Sequence, residues 1–181
     1  MIRLVTGGVR SGKSRFAEET ARDVGEKVLY VATGVPGDEE MQERVARHRD
    51  RRPRSWGLVE EEWDLEAALA RSGEWDAWLI DDLGTWTANH VMRLSEESIR
   101  EDQGGFEAEM AKKTDRLLDT LQDQEVILVT AETGLGGVAM NRMGRLFQDA
   151  LGTVNQQVAQ RADEVWLVAC GIPCQIKGVD G

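Results

Sequence analysis

Residues Ile2–Glu18 read IRLVTGGVRSGKSRFAE, and this stretch decides the fold. Ile2–Thr6 is short, apolar and β-branched, the composition of a strand. Gly7-Gly8-Val9-Arg10-Ser11-Gly12-Lys13-Ser14 follows at once and matches G-x-x-x-x-G-K-[ST]. Its glycines let the backbone turn and aim successive amide N–H groups at a phosphate. Lys13 brings a point charge to the terminal phosphates, and Ser14 offers a hydroxyl to Mg²⁺. A helical pattern runs from Lys13 to about Asp23. Strand, glycine-rich turn and helix N-terminus together are the setting in which such a loop holds a nucleoside triphosphate. A glycine-rich turn without a ligand is the competing reading.

Outward from this loop, β-type runs alternate with helical stretches. Lys27–Ala32, Ala77–Ile80, Val126–Thr130 and Val165–Ala169 read as buried strands, and Leu58–Glu60 as a short one. Helical patterns cover Asp38 to Arg49, Asp64–Arg71, Leu83–Leu94, Glu107 to Gln122 and Asn141–Gln160, the last with a break expected near Gly152. The polar stretch Ser95–Phe106 is expected as the most mobile loop, and Pro173–Lys177 as a strand hairpinning back beside Val165–Ala169. Strands separated by helices require crossover connections. The expected fold is therefore α/β: a three-layer, P-loop NTPase-like sandwich. Its sheet is mainly parallel, with helices on both faces and a C-terminal antiparallel hairpin. The 181 residues suit one domain, 1–181.

Composition narrows the class. Apolar residues make up 41% and charged residues 30% of the chain, ordinary for a globular protein. A net charge of -11 argues against general binding of nucleic acid or anionic membranes, which repel such a surface. It leaves room for a local phosphate nest. No run approaches the roughly 20 apolar residues of a membrane span, and the first apolar run, broken by Arg3, does not read as a signal peptide. The two cysteines, Cys170 and Cys174, are read as reduced thiols, and the cytoplasm is the expected compartment.

A phosphate loop needs a second carboxylate for magnesium, commonly at the end of a neighbouring buried strand. Asp81 and Asp82 follow Trp78-Leu79-Ile80. Period 2 puts their side chains on opposite faces, so one of them faces the loop. Asp81 is preferred, with Asp82 the competitor.

The chain has two histidines, His48 and His90. His48 lies among Arg44, Arg47, Arg49, Arg51, Arg52 and Arg54. A neutral imidazole flanked by guanidinium groups suits nucleophilic attack on an α-phosphate, with the arginines neutralising the oxygens as pyrophosphate leaves. Met41, Val45 and His48 also form an apolar stripe. A core histidine beside a solvated arginine face is thus the alternative.

Taken together, these segments resemble the bifunctional adenosylcobinamide kinase / adenosylcobinamide-phosphate guanylyltransferase family. The resemblance rests on LVTGGVRSGKSRFAE (Leu4–Glu18), YVATG (Tyr30–Gly34), DEEMQERVARHRDRRPRSW (Asp38–Trp56), LIDDLGTWTAN (Leu79–Asn89), VTAETGLGG (Val129–Gly137), NRMGRLFQDALGTVNQ (Asn141–Gln156) and ADEVWLVACGIP (Ala162–Pro173). Their order and spacing, more than any single one, carry it.

The resemblance implies two reactions: phosphorylation of the aminopropanol hydroxyl of adenosylcobinamide by ATP or GTP, then transfer of GMP from GTP onto that phosphate through a guanylyl-histidine. It makes His48 the nucleophile, with Arg44 opening the R-[IV]-x-x-H motif. It places nucleotide contacts at Gly7, Gly8, Val9, Arg10, Ser11, Gly12, Lys13 and Ser14, then at Ala32, Thr33 and Gly34. Further contacts fall at Arg49, Asp50, Arg51 and Arg52, at Glu60 and at Asp81. The resemblance also implies a homotrimer. Independently of it, the phosphate loop makes Ser14 and Asp81 the expected magnesium ligands.

Overall fold

The computed structural model describes residues 1–34, 53–102 and 104–178. The helix expected over Asp38 to Arg49 lies outside the described residues. The elements run in the order β1 (Ile2–Thr6), α1 (Lys13–Val24), β2 (Val28–Ala32), β3 (Gly57–Glu60), α2 (Leu65–Ala70), β4 (Ala77–Asp81) and α3 (Leu83–Met92). They continue with α4 (Glu96–Glu101), α5 (Gly105–Thr120), β5 (Val126–Val129), a 3-10 turn (Gly134–Gly136), α6 (Arg142–Arg161), β6 (Glu164–Ala169) and β7 (Ile172–Lys177).

The strands form one seven-stranded sheet in the order β3-β2-β4-β5-β1-β6-β7. Every pairing is parallel except β6 with β7, which is antiparallel. Strand periodicity sorts the core into two layers. Val5, Val28, Tyr30, Ala77, Leu79, Ile127 and Val129 face one side and pack with Ala17 and Ala21 of α1. Leu4, Leu29, Val31, Trp78, Ile80 and Leu128 face the other and pack with Leu69, Leu83, Trp86, Met110, Leu117 and Val154 from the remaining helices. All of these side chains are below 7% exposed, the burial expected of a parallel sheet covered on both faces.

Several local signals work as sequence chemistry predicts. Side chains of Asp64, Asp82, Ser95 and Asn141 accept backbone N–H groups at the starts of α2, α3, α4 and α6. The β6–β7 turn is Cys170-Gly171, with φ of 54° and 80°. Positive φ at both central residues suits the right-handed twist of a two-residue hairpin.

Two expectations are corrected. Ser95–Phe106 is not an extended loop, because α4 forms inside it. Ser95 caps that helix and Ile99, 8% exposed, anchors it in the core. Arg142 holds its end, donating from Nε to the Ile99 carbonyl and from Nη2 to the Asp102 carbonyl at 2.6 Å. Second, α6 is unbroken at Gly152. Leu151 and Val154, both fully buried, fix the helix on either side of that residue.

Candidate active site

The phosphate loop leaves β1 at Thr6 and enters α1 at Lys13. Its shape depends on close approaches. A Cβ on Gly7 would lie 2.5 Å from the Val168 carbonyl oxygen and 2.6 Å from Ser11 Oγ. Gly12 has φ 96°, and a Cβ there would lie 3.3 Å from Gly171 Cα. The Gly171 N–H donates to the Ser11 carbonyl at 2.8 Å. The C-terminal hairpin thus braces the loop from behind, which explains glycine at both positions.

Unlike the four helices with side-chain caps, α1 begins at Gly12 with no side-chain cap and no acidic residue in its first turn. Its N-terminal amides and the positive end of its dipole are left for an anion. Lys13 and Ser14 are partly exposed there, while Val9 and Arg10 are exposed. Ser11 Oγ is buried without a hydrogen-bond partner among the described residues.

Register brings the other candidates to the same edge. Glu60, Ala32 and Asp81 form one row across the C-terminal ends of β3, β2 and β4. Ligands of open α/β sheets bind at this edge. Asp81 continues the Ala77/Leu79 parity and faces α1. Its Oδ1 accepts from Ser14 Oγ at 3.3 Å, and its Oδ2 accepts from the Tyr30 hydroxyl at 2.7 Å. Asp82 lies beyond the strand and caps α3, its Oδ1 accepting from the Thr85 N–H at 2.6 Å. Of the two candidates, Asp81 is thus the carboxylate placed beside Ser14, and Asp82 the one placed at the start of α3.

Thr33 is fully buried. Its Oγ1 donates to the Asp82 carbonyl at 2.8 Å and accepts from the Asp82 N–H at 2.9 Å. Its own carbonyl accepts from Asn89 Nδ2 at 2.8 Å. Thr33 therefore ties the ends of β2 and β4 together, with its backbone at the site's edge. Gly34 follows, its missing Cβ 3.4 Å from Thr85 Cγ2. Glu60 is exposed.

The site thus unites Gly7–Ser14, Ala32–Gly34, Glu60 and Asp81. His48, Arg44 and Arg49, Asp50, Arg51 and Arg52 lie outside the described residues. Sequence reading missed Tyr30, although the chain's single tyrosine within a buried strand is itself a signal: its hydroxyl needs a polar partner there. It also missed the hairpin brace, whose long-range contact has no local signature. His90 is held elsewhere, its Nε2 3.2 Å from the Trp63 carbonyl.

A Mg²⁺ ion would find a suitable pair of oxygens in Ser14 and Asp81. Magnesium is commonly bound by one or two protein oxygens, with phosphates and water completing its shell. Among the described residues there is no larger cluster of His, Cys, Asp or Glu that could hold a metal.

The family model described as CobU, cobinamide kinase / cobinamide phosphate guanyltransferase, matches residues 3–176. The chain belongs to this family. Similar relatives are named as bifunctional proteins of adenosylcobalamin biosynthesis. The bifunctional adenosylcobalamin biosynthesis protein CobU of Salmonella typhimurium is 40% identical over 98% of this chain and 100% of its own length. The corresponding protein CobP of Pseudomonas aeruginosa is 39% identical over 97% of this chain and 96% of its own. CobU of Escherichia coli K12 is 37% identical over 98% and 100%. This cobinamide kinase / guanyltransferase is therefore a bifunctional transferase of cobalamin biosynthesis. Among the described residues no helix is long and apolar enough to cross a membrane.

Proposed function

We propose that both reactions use the phosphate loop and the edge row described above, with His48 as the covalent nucleophile of the second. The observation that carries this reading is the meeting of Ser14 and Asp81 at 3.3 Å, beside an uncapped helix N-terminus. Loop amides and Lys13 bind the triphosphate. Ser14 Oγ and Asp81 would hold Mg²⁺, which when bound neutralises charge between the phosphate oxygens. Ala32, Thr33 and Gly34, Glu60, and Arg49, Asp50, Arg51 and Arg52 complete the nucleotide contacts.

In the kinase step the aminopropanol hydroxyl of adenosylcobinamide attacks the γ-phosphorus of ATP or GTP. The new P–O bond forms as the bond to the nucleoside diphosphate breaks, and the hydroxyl proton leaves to solvent. Catalysis here is positioning and charge stabilisation, with Arg10 able to reach the transferring group. In the second step an imidazole nitrogen of His48 attacks the α-phosphorus of GTP. A P–N bond forms, the α–β bond breaks and pyrophosphate leaves. An oxygen of adenosylcobinamide phosphate then attacks the same phosphorus, the P–N bond breaks and His48 is regenerated. The covalent route spares two anionic substrates a direct encounter.

Paired variants test the assignment. Lys13→Ala should impair both activities. His48→Ala should abolish guanylylation while phosphorylation of adenosylcobinamide continues. Guanylyl transfer at the wild-type rate by the His48 variant would remove His48 from the mechanism.

A homotrimer in the cytoplasm completes the proposal. The edge strand β7 is exposed throughout, with Ile172 and Ile176 at 70% and 60%, which suits contact between copies. Cys170 and Cys174 are exposed free thiols, in keeping with a reducing compartment. Sedimentation of the purified protein tests the trimer directly.

A further inference from the structure

Beyond the phosphate loop, the segment after β5 presents an unusual surface. Leu135, Val138, Met140 and Met143 are 83%, 81%, 97% and 43% exposed within nine residues of chain. Exposed apolar side chains scattered singly need no explanation, whereas a cluster marks a binding surface. This cluster adjoins the nucleotide site, because the Glu132 N–H donates to the Gly7 carbonyl at 3.2 Å. Val9, inside the phosphate loop, is also 87% exposed.

The segment's backbone is held firmly beneath these side chains. Gln148 accepts from the Ala139 N–H at 2.8 Å and donates to the Gly137 carbonyl at 2.9 Å. Arg145 Nη1 donates to the Met140 carbonyl at 2.8 Å and to that of Ala139 at 3.1 Å. Glu132 Oε1 accepts from the Gly134 N–H at 3.1 Å. A Cβ on Gly144 would lie 2.7 Å from Ala139 Cβ, so the segment sits directly on α6. Polar groups are thus satisfied inward while apolar groups point outward. A surface fixed in this way binds without a large ordering cost.

We propose that this segment is the docking surface for the corrin ring of the substrate. The inference rests on the reading that Gly7–Ser14 hold the donor nucleotide. The acceptor hydroxyl must reach a phosphate held there, and it is joined to the macrocycle by a short arm. The macrocycle therefore comes to rest at the rim of the loop. Its broad faces are largely apolar and its edge carries amides, so it matches a preformed apolar shelf better than it matches the acidic surface elsewhere. Methionine, flexible and polarizable, adapts well to such a face.

The test combines Leu135→Ser with Met140→Ser in one variant. Formation of the guanylyl-enzyme from GTP needs no corrinoid and reports folding and nucleotide binding. It should be retained. KM for cobinamide and for cobinamide phosphate should rise about tenfold or more, as expected when apolar contact area is lost. The conservative pair Leu135→Ile and Met140→Leu should restore KM. Unchanged KM in the serine variant, with the guanylyl-enzyme still formed, overturns the proposal alone. Unchanged KM with an altered sedimentation coefficient also overturns it and assigns the surface to contact between copies. Wild-type affinity for GTP that is unchanged in Lys13→Ala removes the underlying reading that Gly7–Ser14 hold the nucleotide, and the proposal with it.

Discussion

The Ser14 hydroxyl donates to Asp81 Oδ1 at 3.3 Å, joining the helix that follows β1 to the end of β4 across the intervening strand β5. Asp81 and its neighbour Asp82 are chemically identical yet have separate partners: Asp81 ends β4 beside Ser14 and Tyr30, while Asp82 caps α3. Asp81→Asn should lower both activities by about 100-fold, the loss usual for one charge-organising group in a water-excluded site. Asp82→Ala should remove a helix cap worth about 1 kcal/mol, lowering the melting temperature by about 2–4 °C for a chain of this size. Steady-state rates and melting curves of the two variants check both; equal effects on turnover would refute the division.

Gly7 and Gly8 make a second contrasting pair. A methyl group on Gly7 meets the Val168 carbonyl at 2.5 Å, a backbone atom that cannot swing away, while one on Gly8 meets nothing within 4 Å. Gly7→Ala should cost about 1–3 kcal/mol by overpacking. Gly8→Ala should stay within about 0.5 kcal/mol of wild type. Chemical denaturation separates them.

The His90 imidazole should make folding sensitive to mild acid. Burial pushes its pKa below the ordinary 6.5, and the charges of Lys113 and Arg93 act in the same direction. The Trp63 carbonyl and Glu109 oppose them. Above 6.5 the folded and unfolded chains both carry neutral His90. As pH falls through the window below 6.5, the unfolded chain takes up a proton that the folded one resists, so this stability is lost with falling pH. Between about pH 7.5 and about pH 5.5, wild type should lose more stability than His90→Gln. Identical pH slopes would contradict this.

Gly152 lies inside a continuous helix, and a methyl group there would meet nothing within 4 Å. Gly152→Ala should therefore stabilise the protein by about 0.4–1 kcal/mol, mainly through the unfolded state. A rise of up to about 4 °C in melting temperature is expected. A fall would point to a contact at this surface.

What the sequence reveals follows from the range of each interaction. Strand, loop and first helix are legible because glycine, lysine and serine must sit at fixed spacing around a phosphate. The position of Asp81 beside the loop is legible because a short buried apolar strand, Trp78-Leu79-Ile80, leads directly into it. Helix α4 escapes sequence reading because its supports, buried Ile99 and the hydrogen bonds from Arg142, come from packing and from a residue 43 positions away. Continuity of α6 through Gly152 likewise depends on Leu151 and Val154 finding the core. The link from the Thr33 hydroxyl to Asp82, a partner 49 residues on, has no local signature either; the family resemblance implies Thr33 only as a nucleotide contact.

The most direct test of the central claim is the mass of the intact protein after incubation with Mg²⁺ and GTP, without corrinoid, followed by peptide mapping under non-acidic conditions that preserve a P–N bond. The account predicts a gain of one GMP, located on His48 and discharged by adenosylcobinamide phosphate. No adduct on a protein that binds GTP, or an adduct on another residue, would contradict it.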